Sequence, residues 1–134
     1  MFWLRRKEIP WELVERRTVD AVPTYYDDEV FDVAAVGKAD AHGTYIYDLQ
    51  ELRKSTNIST NIADAVVFSR KQLLQRAEEN GFNALLLESW EVTIYRKGKR
   101  YRLEVKYSGR PARINGKVAK HRPPPFMALL RTHD

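Results

Sequence analysis

The sequence predicts a single α+β domain: an antiparallel or mixed sheet with a C-terminal β-hairpin and one main helix packed on it. Three observations predict it. A stretch over 69–80 has helical periodicity and helical stop signals, "FNALLLESWEVTIY" reads as a long strand, and a Lys-Gly turn joins that strand to a second alternating run. The chain has 134 residues, 43% hydrophobic and 31% charged. That is one domain's worth of an ordered core, not a disordered tail.

The helix is placed by its ends. Ser69 with Gln72 three residues on forms a capping box, each side chain satisfying an orphan backbone N–H, and Phe68 with Leu73 has staple spacing. Leu73, Leu74 and Ala77 make the inward stripe, which leaves Arg70, Lys71, Gln75 and Glu78 towards water. Gly81 stops the helix by taking the left-handed conformation after its last turn.

The strand after Gly81 opens with Leu85-Leu86-Leu87, apolar on both faces as a covered central strand would be. Beyond Glu88 it alternates, Trp90, Val92 and Ile94 on one face and Glu91, Thr93 and Tyr95 on the other. A turn at Lys97-Gly98 that pairs Arg96 with Lys99 sets Ile94 opposite Tyr101, Val92 opposite Leu103 and Trp90 opposite Val105. The core is then the helix stripe, Leu85–Leu87 and these facing apolar residues. The opposite face gathers Tyr95, Arg100, Arg102, Glu104 and Lys106, with Glu91 facing Glu104.

Earlier elements are less regular. "EVFDVAAVGKAD" (29–40) and "TYIYDLQEL" (44–52) read as strands, "ADAVVF" (63–68) as a short apolar run leading into the helix, and "STNISTNI" (55–62) as a polar loop. Residues 1–28 are expected to be an N-terminal arm, 29–114 the core domain, and 115–134 a basic, Pro-rich tail with an apolar end. "FW" and "IPWEL" near the start and "FMALL" near the end are apolar groups in need of a surface to pack on, which points to self-association through the arms.

Charge is divided along the chain. Residues 1–92 carry eleven Lys/Arg against sixteen Asp/Glu, while residues 93–122 carry eleven against one. Such a chain attracts a polyanion, attracts copies of itself, or pairs its halves internally. A basic face bearing Arg100, Arg102, Lys106, Arg110 and Arg113, with Tyr95 and Tyr107 nearby, has what a phosphate-contacting surface needs. Nucleic acid or another polyanion is the expected partner, alongside a homo-oligomer.

Catalytic signatures are absent. Ser108 has no Gly-x-Ser-x-Gly frame and no histidine near in sequence, and the glycines form no phosphate loop. Asp40 and His42, two apart, with the acidic cluster Asp27, Asp28, Glu29 and Asp32 nearby, fall short of the three or four convergent ligands that a metal needs. No catalytic residue, metal or cofactor is therefore assigned. With no cysteine, no run of signal-peptide length and no transmembrane stretch, an intracellular setting, cytoplasmic or nuclear, is expected, away from membranes. The reading is a non-catalytic binding and assembly module. The alternatives are an oligomeric structural module that binds no polyanion, or an enzyme with its site between subunits.

"QRAEENGFNALLLESWEV", with its Gly81-x-Asn83-Ala84 step, and "YSGRPARI" together resemble the YbjQ family of small bacterial proteins described as heavy-metal-binding. The resemblance covers about residues 30–114. It implies a compact α+β subunit that closes into a ring, and it carries over no catalytic or metal-binding residue. The early loop has only Gly43 where the family has a glycine pair, and the terminal arms and basic stretch are additions.

Overall fold

The structure, a computed structural model, describes residues 10–23, 32–49, 58–116 and 124. Five strands and one helix follow in the order β1 (Glu12–Pro23), β2 (Asp32–Val36), β3 (Ala41–Leu49), α1 (Ile58–Glu79), β4 (Ala84–Lys97) and β5 (Arg100–Asn115). All pairings are antiparallel, in the order β1-β4-β5-β2, with β3 also on β5. The 16-residue β5 is long enough to hold β3 along Tyr101–Gly109 and β2 along Ala112–Asn115, on the same edge. Gly37 marks the break between them, its N–H donating to the Pro111 carbonyl at 2.7 Å.

One face of this sheet is dry. Trp90, Val92 and Ile94 from β4 and Leu103, Val105 and Tyr107 from β5 are buried against Ile62, Val66, Leu73 and Leu74 of α1. Burying side chains of this size contributes about 1.5–3 kcal/mol each, so this helix-on-sheet layer dominates stability.

The hairpin forms as expected, with its turn one residue later. Lys97 pairs with Arg100, leaving Gly98 and Lys99 as the two-residue loop, and Gly98 supplies φ +62° at the first position. Partners move by two residues, so Ile94 faces Leu103, Val92 faces Val105 and Trp90 faces Tyr107. A shift of two keeps every side chain on its face. Glu91 consequently meets Lys106 and not Glu104, which removes the expected like-charge contact. Tyr107 lies on the dry face, fully buried.

The helix differs more. It is 22 residues long and begins at Ile58, so "ADAVVF" is helical and Ser69 is no cap. The inward stripe runs Ile62, Ala65/Val66, Ser69/Arg70, Leu73/Leu74, Ala77 without interruption. Ser69 sits on it because its hydroxyl donates to the Ala65 carbonyl at 2.7 Å and is met by the Tyr47 hydroxyl at 2.8 Å. Residues 50–57 lie outside the described residues. The C-terminus is as expected: Gly81, at φ +88°, donates to Glu78 O at 3.1 Å, and Phe82 N–H reaches Ala77 O at 3.0 Å.

Residues 12–23, placed by the sequence in an arm, are an edge strand of the same sheet. Register shifts between Leu13 and Glu15 and between Val19 and Val22 interrupt its alternation, which is why no strand pattern is visible there. The remaining arm residues, 1–9, and nearly all of the tail lie outside the described residues. No described helix is long and apolar enough to cross a membrane.

Candidate nucleic-acid interface

The open face of the sheet carries the charges. Arg100, Arg102, Lys106 and Arg110 alternate along it on β5, as expected. Pro111 and Ala112 are both buried, so the alternation then resumes in the opposite phase and Arg113 is exposed while Ile114 is buried.

Strands from the acidic front half lie beside this basic run and neutralise most of it. Arg102 Nε donates to Asp48 Oδ1 at 2.7 Å, with a second contact of 3.4 Å to Oδ2. That hydrogen bond, reinforced by the charge of the guanidinium, holds the Asp48 carboxyl below the usual carboxylate range. Arg110 donates to Asp40 at 2.8 Å. Lys106 lies 3.9 Å from Glu104 and is strand partner of Glu91. Further out, Arg96 pairs with Glu12 at 3.4 Å and Arg16 with Glu91 at 3.8 Å. Of the three fates open to a charge-divided chain, internal pairing takes up most of the strip. Among the described residues only Arg100 and Arg113, of the five singled out, make no ion pair.

Among the described residues of the strip, the cations without an ion pair, Arg113 apart, gather at the hairpin tip. Trp11, just before β1, lies on the open face with the Arg102 guanidinium 4.4 Å from its ring centroid. Lys97 and Arg100 stand 5.9 Å from the same ring, and Lys99 is exposed in the turn beside them. Three cations thus stand around one indole, with Asp48 as the paired acid of Arg102. Tyr95, half-buried, is strand partner of Arg102 and continues the aromatic surface inward. The Trp11 contribution was missed because residues 1–28 read as an arm; the pairing of Glu12 with Arg96 is what brings it to the tip.

Two other constellations are visible only in the structure. His42 and Ser108 are cross-strand partners, and Nδ1 lies 2.8 Å from Ser108 Oγ, although the two are far apart in sequence. The imidazole makes no other side-chain hydrogen bond among the described residues, so no carboxylate orients it as a general base. Asp40, the other half of the supposed metal pair, is engaged by Arg110. The second constellation is buried: Arg70, read as solvent-facing, is 5% exposed and donates to Glu88, itself 0% exposed, at 2.6 Å. Tyr107 donates to the same carboxylate oxygen at 2.7 Å. Burial, then the neighbouring Glu88 charge, pushes the Tyr107 phenol far up, so it stays a donor. A register shift between Leu85 and Glu88 turns Glu88 inward and leaves Leu87 46% exposed, so Leu87 is not in the core. Sealed from solvent, the network ties α1 to the sheet.

Comparison with known protein families, with curated protein sequences and with solved structures returns no match for this chain.

Proposed function

We propose that the protein is a non-catalytic binding module that offers the tip of its β4–β5 hairpin to a nucleic-acid backbone. The observation that supports this reading is the gathering of Lys97, Arg100 and Arg102 around Trp11, with Lys99 in the adjacent turn. Cations beside a half-buried aromatic ring supply both ingredients of sequence-tolerant binding, phosphate contact and base stacking. The interface is narrower than the five-residue strip suggested by the sequence. Arg102 and Arg110 belong to ion pairs with Asp48 and Asp40, and Lys106 sits between Glu91 and Glu104, so the net field comes from Lys97, Lys99 and Arg100.

Fluorescence anisotropy with a labelled single-stranded oligonucleotide tests the reading. The Lys97→Ala/Lys99→Ala/Arg100→Ala variant is expected to lose most of its affinity, while Arg110→Ala/Arg113→Ala loses little. Equal losses from both sets, or no binding by the parent chain at low salt, would refute the assignment to the tip.

A further inference from the structure

The outer edge of β3 is unpaired among the described residues, and it differs from the other free edge. The edge strand β1 carries two register shifts and the charges Glu12, Glu15, Arg16, Arg17 and Asp20, which are devices that keep an edge from pairing. The nine residues of β3 pair with β5 without a single register shift, contain no Lys, Arg or Pro, and expose Ile46 at 58%. A long, regular edge of this kind, whose one carboxylate, Asp48, is already paired with Arg102, is a template for a further strand. Beside it, between β3 and the first half of α1, runs a mostly apolar groove of about 460 Å³ lined by Tyr47, Leu49, Ala65, Phe68 and Leu103 together with Asn61 and Asp64. Phe68 is 49% exposed there and meets Tyr47 edge-on, with ring centroids 6.0 Å apart.

We infer that β3 pairs with β3 of a second copy, antiparallel and about a two-fold axis at Tyr45, so that two sheets become one. The self-complementarity of the strand carries the inference. Tyr45 is the midpoint of Ala41–Leu49, and centring the pair there sets Ala41 opposite Leu49, His42 opposite Asp48, Gly43 opposite Tyr47 and Thr44 opposite Ile46. On the open face, a polar imidazole meets a carboxylate at each end, and the two Ile46 side chains lie diagonally across the axis and cover each other. On the helix face, Tyr47 of the second copy comes beside Gly43, against which the Tyr45 ring already lies. The Tyr45 hydroxyl there is buried and has no partner among the described residues. The groove borders the same strand, so a second copy added along β3 would lie beside the exposed Phe68. This contact is independent of the hairpin tip and uses no terminal arm.

Sedimentation velocity across a wide concentration range tests it. The parent chain is expected to sediment at twice its own mass, and Ile46→Lys at its own mass with an unchanged circular dichroism spectrum, because that side chain is exposed in a single copy. Self-association should weaken by about a hundredfold or more, since the substitution places two like charges across the axis. The chain contains no cysteine, so oxidising a mixture of Thr44→Cys and Ile46→Cys chains should yield a covalent heterodimer well above either alone. A parent chain that stays at single mass throughout, whether its edge is covered by its own tail or reserved for a foreign peptide, overturns the inference. So does an assembly that survives Ile46→Lys, or a cysteine mixture that does not cross-link.

Discussion

The buried network under α1 gives the sharpest test of the fold. Glu88 is 0% exposed and Arg70 5%, and the carboxylate accepts from Arg70 Nε at 2.6 Å, Arg70 Nη2 at 3.4 Å and the Tyr107 hydroxyl at 2.7 Å. Replacing Arg70 by Met removes the compensating charge and leaves a carboxylate in the interior without its guanidinium. Breaking one side of a buried pair costs about 3–5 kcal/mol, a large share of the 5–15 kcal/mol of a domain. Tyr107→Phe removes only a hydrogen bond to a charged group and should cost about 1.5–3 kcal/mol. The triple change Arg70→Met/Glu88→Leu/Tyr107→Phe removes every charge together and fills the space with apolar groups. It should return to within about 2 kcal/mol of the parent, because the desolvation of both ions is also removed. Urea unfolding followed by circular dichroism reads all three, and with a slope of about 1–3 kcal/mol/M the single Arg70 change moves the midpoint by 1 M or more. If Arg70→Met costs under about 1 kcal/mol, or the triple variant is no better than the worst single one, the network does not hold α1 as described.

Three further outcomes follow from individual contacts. Gly109→Ala places a Cβ 3.1 Å from Leu85 Cβ and 3.2 Å from its Cδ2 in a filled layer, and thermal unfolding should show a loss of about 1–3 kcal/mol that Leu85→Val partly restores. Asn83→Ala removes a side chain that donates to Ile114 O and accepts from Ile114 N–H, both at 2.8 Å, and should cost about 1–3 kcal/mol in the same assay. The Asp48 carboxyl is held low in the folded chain, so its contribution is present above the unfolded carboxylate pKa, near pH 4, and fades as pH falls through the folded value. An Asp48→Asn chain should therefore show a shallower acid limb of stability against pH, with a small deficit near neutrality, small because the pair is exposed, that disappears at acid pH. An unchanged acid limb would mean that Asp48 is not the group lost there.

What the sequence made legible was whatever is fixed within a few residues. Gly98 set the hairpin and Gly81 the helix end, since a turn and a left-handed stop are local requirements. The alternation of Trp90, Val92 and Ile94 named the dry face even though the turn lay one residue later, because an even register shift preserves facing. Ser69 hid the first half of α1: a hydroxyl satisfied by Ala65 and Tyr47 in the interior has the same local pattern as a cap. Strand β1 was hidden by its own bulges, and Trp11 with it. The basic strip was legible as residues but not as a field. Its partners Asp48 and Asp40 lie more than fifty residues away and are delivered by strand pairing alone. The same holds for Glu88 and Arg70, where a bulge and a helix turn, not a motif, bring the charges together.

Salt titration of oligonucleotide binding probes the account most directly. If the cations gathered around Trp11 carry the binding, with or without the paired Arg102, three or four of them contact phosphate. The logarithm of the binding constant should then fall against the logarithm of salt concentration with a slope of about −2 to −3 for a single strand. Neutralising Lys97, Lys99 and Arg100 should bring that slope close to zero. A steep slope that survives their removal, or one much larger than four charges allow, would place the cationic surface elsewhere on the molecule.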